Sequence, residues 1–182
     1  MYKILFVYFL LSSYVLFSQN QIPQPSSITK IDLSNKGLTE FPIEILKYKN
    51  LVELDLSNNG LKSIPVELSE LKNLKYLNLS LNQGLNQVDL KVVLNNAKFN
   101  LTVLDLSNCD LVDLPENLGN QTDLRELYLS HNNLISLPYS YTELNKLTKV
   151  DLSNNYFNDL NWLIKFWWNI KYINLKNNKE LS

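Results

Sequence analysis

The sequence predicts an α/β solenoid, with a concave parallel β-sheet of about seven short strands and a convex side of loops, 3-10 turns and short helices. Three observations predict it. Seven segments of the pattern L-x-x-L-x-L-x-x-N-x-L begin at Ile28, Leu51, Leu74, Leu101, Leu124, Leu147 and Ile170. Their spacings are 23, 23, 27, 23, 23 and 23 residues, and a fixed period of this size marks stacked repeats. A Leu-Pro-like step recurs between segments, at Phe41-Pro42, Ile64-Pro65, Leu114-Pro115 and Leu137-Pro138.

Residues 1–18 read as a secretory signal peptide. Lys3 precedes a mostly apolar run from Ile4 to Phe17, and Ser18 offers a small residue at a cleavage edge before Gln19. The run is short for a membrane span. No Cys follows it, so a bacterial lipoprotein anchor is unsupported. Residues 19–27, Q-N-Q-I-P-Q-P-S-S, form a polar lead-in, and the repeats occupy 28–182.

Within a repeat, Leu54 and Leu56 flank Asp55, and this alternation predicts a short strand with its apolar side inward. Asn58, Asn59 and Gly60 end it, because these residues favour turns. Ile64-Pro65 forbids a ladder strand. Leu68 and Leu71 then return at helical spacing. One such coil cannot bury its own leucines, so neighbouring coils must stack and pair their strands in parallel about 4.8 Å apart. Asn59, Asn82, Asn132, Asn155 and Asn178 recur at the ninth position. A buried amide there can satisfy backbone groups where the chain leaves the sheet, and bond to its neighbour along the stack. Lys36 replaces it in the first unit and Cys109 in the fourth, where a small buried residue fits.

These registered residues resemble the leucine-rich-repeat family, in a form similar to its 23-residue typical subtype with a Leu-Pro step. The resemblance covers 28–182. It implies a right-handed coil that serves as a recognition scaffold for many unrelated partners. Extracellular animal and plant relatives usually cap the stack with paired cysteines. This chain has one Cys, so it can form no intrachain disulfide. That points to a small exported bacterial protein, as does a cationic set in which Arg125 is the single Arg.

Two units depart from the pattern. The third is four residues longer, and its return segment, Val88 to Phe99, suits a helical turn or two. Val88 or Leu90, with Val92, Val93, Leu94 and Ala97, supplies the apolar positions. The sixth ends N-W-L-I-K-F-W-W-N. Leu160, Ile164 and Trp167 fall at core register there, which leaves Trp162, Leu163, Phe166 and Trp168 in excess. The last unit lacks a return segment and a polar cap. Trp162, Phe166 and Trp168 therefore either cap the end, or the end docks on something, or the chain is a truncated array.

Function should lie in the outward strand positions. Tyr76, Leu81, Val103, Tyr128 and His131, from three consecutive coils by this register, depart from bland polar residues, with Arg125 and Glu126 at their border. Tyr and Arg dominate binding hot spots, so these seven are the candidate partner-binding patch. The Asp32, Asp55, Asp105, Asp151 ladder could suggest calcium, but L-D-L-S-N-N is routine for this repeat, and no metal site or cofactor is expected. His131 and Cys109 lack a nucleophile–base arrangement, so no catalytic residue is assigned and no enzyme is expected. Seventeen Lys+Arg against 18 Asp+Glu leave charge near balance, with no basic stripe for nucleic acid and no amphipathic anchor for a bilayer after signal cleavage. The expected function is an exported, non-enzymatic scaffold that holds a protein partner on its concave face. The alternative is an assembly component that self-associates or docks through its C-terminal end, or a piece of a longer repeat protein.

Overall fold

The computed structural model describes residues 25–179. The signal segment 1–18 and residues 19–24 of the lead-in lie outside the described residues. Each L-x-L pair becomes a three-residue strand: β1 Lys30–Asp32, β2 Glu53–Asp55, β3 Tyr76–Asn78, β4 Val103–Asp105, β5 Glu126–Tyr128, β6 Lys149–Asp151 and β7 Tyr172–Asn174. They form one sheet in sequence order, every neighbouring pair parallel. The register is one repeat per step, so Ile31, Leu54, Leu77, Leu104, Leu127, Val150 and Ile173 form a single column. Leu54 through Val150 of that column are fully buried. Removing each such leucine from water contributes about 2 kcal/mol.

The strands are short because the backbone turns left-handed soon after each. Asn35, Asn58, Leu81, Asn108, His131, Asn154 and Asn177 all have φ between 50° and 59°. Asn tolerates that region and most L residues do not. The ninth-position asparagines lie just beyond. Asn132 Nδ2 donates to Leu129 O in its own coil and to Leu106 O in the preceding coil, each at 2.9 Å. Its Oδ1 accepts from Cys109 N and Leu111 N of that preceding coil. The bond along the stack is therefore from amide to backbone.

Cys109 fits for two reasons. Its thiol lies 3.2 Å from Leu79 O, which reproduces the donor bond to the preceding coil. Its sulfur also takes a hydrogen bond from the Asn82 backbone N–H of that coil, at the place where an asparagine Oδ1 would accept.

The convex side is built from 3-10 turns at Ile43–Lys47, Val66–Glu70, Glu116–Asn120 and Tyr139–Glu143, each following the proline of its step. In the third coil the return is a helix, α1 Gln87–Asn95, capped by Asn86, whose side chain accepts from Val88 N and Asp89 N. Leu90, Val93 and Leu94 face inward, whereas Val88 and Val92 are exposed. In the sixth coil a four-residue helix, α2 Asn161–Ile164, replaces the turn. It rotates Leu163 into the core, fully buried, and leaves Ile164 only partly buried. That corrects the expectation that Ile164 would be the core residue. Leu160 and Trp167 are buried as expected, and Trp167 Nε1 donates to Tyr141 O at 2.9 Å.

Candidate functional site

Two rows of side chains leave the sheet on the face opposite the leucine column, since alternate strand residues point to opposite sides. One row runs Lys30, Glu53, Tyr76, Val103, Glu126, Lys149, Tyr172, and the other Asp32, Asp55, Asn78, Asp105, Tyr128, Asp151, Asn174. The carboxylates of the second row have a local task. Asp32, Asp55, Asp105 and Asp151 each accept the backbone N–H two residues on, at 2.9 Å. This bond closes the turn into the left-handed residue, and it draws the Asp32 carboxyl below its ordinary pKa. Burial pushes Asp105 the other way, upward. Among the described residues no group of three or more His, Cys, Asp or Glu could hold a metal ion.

Asn78 and Asn174 replace Asp in this row but accept the same bond, from Ser80 N at 3.0 Å and Lys176 N at 3.2 Å, whereas Tyr128 has no acceptor for it, and two polar clusters form around Tyr128. Toward the N-terminus, Asn78 Nδ2 donates to Asp55 Oδ2 at 3.0 Å and lies 3.4 Å from the Tyr76 hydroxyl. A shallow hollow beside this cluster is lined by Lys30, Asp32, Glu53, Asp55 and Tyr76, with Lys30 and Glu53 paired at 2.6 Å. Toward the C-terminus, the Tyr128 hydroxyl donates to the Glu126 carboxylate. The Lys149 ammonium lies 5.1 Å from the Tyr128 ring centroid and 5.8 Å from that of Tyr172. Burial and the Glu126 bond raise the Tyr128 pKa, so the hydroxyl stays protonated at neutral pH.

The seven candidate patch residues are thus only partly brought together. Tyr76, Val103 and Glu126 are consecutive in one row, and Tyr128 joins Glu126 through its hydroxyl. Leu81 and His131 sit at the turn edge in left-handed backbone, two coils apart with Asn108 between them. His131 Nε2 lies 3.1 Å from Asn154 Nδ2. Asn58 bonds Asn35 and Asn177 bonds Asn154 in the same ladder, which Leu81 interrupts. Arg125 lies exposed just before β5. Lys149 and Tyr172 complete the second cluster and lie outside the seven residues that the sequence picks out. Their row membership is legible in the repeat, whereas the ring–ammonium geometry is not.

Cys109 is fully buried, and burial pushes its thiol up to about 12, which makes it a poor nucleophile. The tryptophans of the sixth coil divide. Trp162 stacks on Tyr139 of the preceding coil, with ring centroids 5.8 Å apart and planes 11° from parallel. Phe166 and Trp168 are exposed, and Ile170, Ile173 and Leu175 of the last coil are only partly buried. No helix among the described residues is long and apolar enough to cross a membrane.

The family model for leucine rich repeat matches residues 26–83, and that for two copies of the leucine rich repeat matches 100–146. Over 52 residues, 29% of this chain, the sequence is 46% identical to the disease resistance-like protein DSC1 of Arabidopsis thaliana, of which the match covers 4%. Among solved structures, a leucine-rich-repeat protein of Leptospira interrogans is similar with a TM-score of 0.65 and 29% identity, over 84% of this chain and 44% of that one. Internalin C2 of Listeria monocytogenes is similar with a TM-score of 0.71 and 21% identity, over 84% and 63%. The ectodomain of the Arabidopsis thaliana receptor kinase GASSHO1, solved in complex with Casparian strip integrity factor 2, is similar with a TM-score of 0.68 and 24% identity, over 86% and 20%. The chain therefore spans less than two thirds of the length of each. Seven stacked coils in one register, together with these matches, place the chain in the leucine-rich-repeat family.

Proposed function

We propose that this chain is an exported, non-enzymatic scaffold that recognises a protein partner on its strand face. The family fold is commonly a protein-interaction scaffold. The observation that carries the reading is the ordered array Glu126–Tyr128–Lys149–Tyr172 on a rigid sheet. Groups already held in place lose little entropy on binding, and Tyr is a preferred hot-spot residue. Tyr76 and Val103 extend the array, and Leu81, Arg125 and His131 form its margins. The apolar run 4–17 supports export, with release of a mature chain beginning at Gln19.

The test uses a photo-crosslinking amino acid at Tyr76 or Tyr128, compared with the exposed convex residue Tyr139, in cells that express the full chain. A discrete protein adduct from both strand-face positions and none from Tyr139 is expected, on a chain whose N-terminus is Gln19. Adducts at Tyr139 alone, or an uncleaved N-terminus, would contradict the reading.

One observation favours a second reading. Among the described residues β7 is the last strand of the sheet, and its Ile173, like Ile170 and Leu175 beside it, is only partly buried. Such an edge invites a further strand, which would make the chain an assembly component. Light scattering across a concentration series separates the two: a fixed monomer mass opposes assembly, and a mass that grows supports it.

A further inference from the structure

One carboxylate on the strand face has no partner for its second oxygen. Its row, Asp32, Asp55, Asn78, Asp105, Tyr128, Asp151, Asn174, carries four anions and no cation. Asp55 Oδ2 accepts from Asn78 Nδ2 at 3.0 Å, and Asp151 Oδ2 from Asn174 Nδ2 at 3.1 Å. Each of these two Asp is thus served by the Asn of the next coil. Asp105 is followed by Tyr128 instead, whose hydroxyl donates to Glu126. On the other side of Asp105, Asn78 gives its amide to Asp55. Asp105 Oδ1 accepts from Ser107 N, Oδ2 is left without a donor, and none of the ion pairs among the described residues includes this carboxylate. Asp32 has no such amide either, but it is exposed, with Lys36 and Lys30 near it. Asp105 is half-buried, and burial, with the Asp55 and Asp151 charges, raises its carboxyl.

Resting on the strand-face reading, we propose that Asp105 receives an arginine side chain of the protein partner and so sets the specificity of that face. An unpaired carboxylate held part-way out of water gains most from a cation that brings its own donors. A divalent metal ion needs several oxygen ligands, and among the described residues no group of three or more His, Cys, Asp or Glu could supply them. The surroundings select arginine. Val103 lies two residues before Asp105 on the same face of β4, and Tyr76 is the register partner of Val103 on β3. Apolar surface therefore leads up to the carboxylate. A methylene stem would cover Val103 and Tyr76, and the planar guanidinium at its end would stack on Tyr128 while it donates to Asp105. Lys149 reaches the Tyr128 ring from β6, so the β4 side, where Asp105 is the register partner, is the side it leaves open.

The probe is the peptide acetyl-Gly-Arg-Gly-amide, and its control carries citrulline, a neutral residue of the same shape, in place of arginine. Both are titrated at matched ionic strength into the isotope-labelled full chain, with the Ser107 and Tyr128 amide resonances followed by NMR. The arginine peptide should give saturable shifts at both amides at about millimolar concentration. The citrulline peptide should bind at least about tenfold more weakly. Asp105→Asn keeps an acceptor for Ser107 N and should abolish the preference between the two peptides. Asp151→Asn should leave it intact, because both Asp151 oxygens are already engaged. Equal binding of the two peptides, no saturable shift, a preference that survives Asp105→Asn, or an equal loss on Asp151→Asn would overturn the proposal. The crosslinks at Tyr76 and Tyr128 decide the strand-face reading separately. A partner captured there that binds the Asp105→Asn chain as tightly as the parent would overturn the arginine pocket and leave the strand-face scaffold standing.

Discussion

The Lys149 ammonium lies 5.1 Å from the centre of the Tyr128 ring, one strand away on the same face. The contact holds two interaction-prone side chains in fixed positions without burying either. Tyr128 is also the member of its row with no acceptor for the turn-closing bond, which Asn78 and Asn174 keep. Tyr128→Ala should therefore lower affinity for the strand-face partner by about tenfold or more, with a stability change within about 0.5 kcal/mol. Titration against the crosslinked partner, alongside a thermal melt, checks both. Unchanged affinity would remove the array from the function.

Leu127 stands in the middle of the core column between Leu104 and Val150. Leu127→Asp puts a charge where no water or partner can reach it, at a cost on the order of 5 kcal/mol. Stacked repeats are stable only through their neighbours, so the adjacent coils should unfold with it. A variant that melts like the parent would contradict the register.

That register was legible because periodicity is a property of the backbone plan. The seven strands, the asparagine turns and the proline steps each depend on residue type at a fixed offset. The misassigned residue lies where the period fails. In α2 the chain makes a helical turn instead of a 3-10 turn, and the change in residues per turn moves Leu163, not Ile164, inward. The site was less legible for a related reason. Row membership follows from alternation, but whether Lys149 meets Tyr128 or solvent depends on rotamers set by three neighbouring coils.

Gly119 lies buried in the turn Glu116–Asn120, where a Cβ would sit 2.4 Å from the backbone oxygen of Ser140 in the next turn. The obstacle is backbone, so no side-chain rotation relieves it. Gly119→Ala should force the two turns apart and cost about 2 kcal/mol, which at this chain length lowers Tm by several degrees, roughly 4–8 °C. Calorimetry of the variant would show it, and an unchanged Tm would mean that the convex turns pack more loosely than described.

Burial raises the Asp105 carboxyl above its ordinary value, with Asp55 and Asp151 adding to the shift. The sign follows from proton binding. Between the unfolded value, about 3.9, and the raised folded value, the native state holds more protons than the unfolded one. Stability therefore falls as pH rises through that window, and the penalty persists at neutrality. Asp105→Asn keeps an acceptor for Ser107 N and removes the charge. The variant should melt above the parent at pH 7, and the gap should close below about pH 4. A gap independent of pH would rule out the titration as its source.

Leu81 is the residue in this fold whose backbone and side chain are both set against ordinary preference. It has φ 58° in a row otherwise held by Asn and His, and it is 44% exposed. A left-handed Leu costs about 1 kcal/mol relative to Asn. The side chain recovers little of that, because it remains in water. It also interrupts the ladder in which Asn58 bonds Asn35 and Asn177 bonds Asn154. Strain without a packing return is the pattern of a functional position. Leu81→Asn should raise stability by about 1 kcal/mol, or a few degrees in Tm, and should weaken strand-face binding at the same time. A melt and a binding titration on one preparation test the pair of effects. Stability gained with affinity intact would show the leucine to be a tolerated defect and would take the turn edge out of the site.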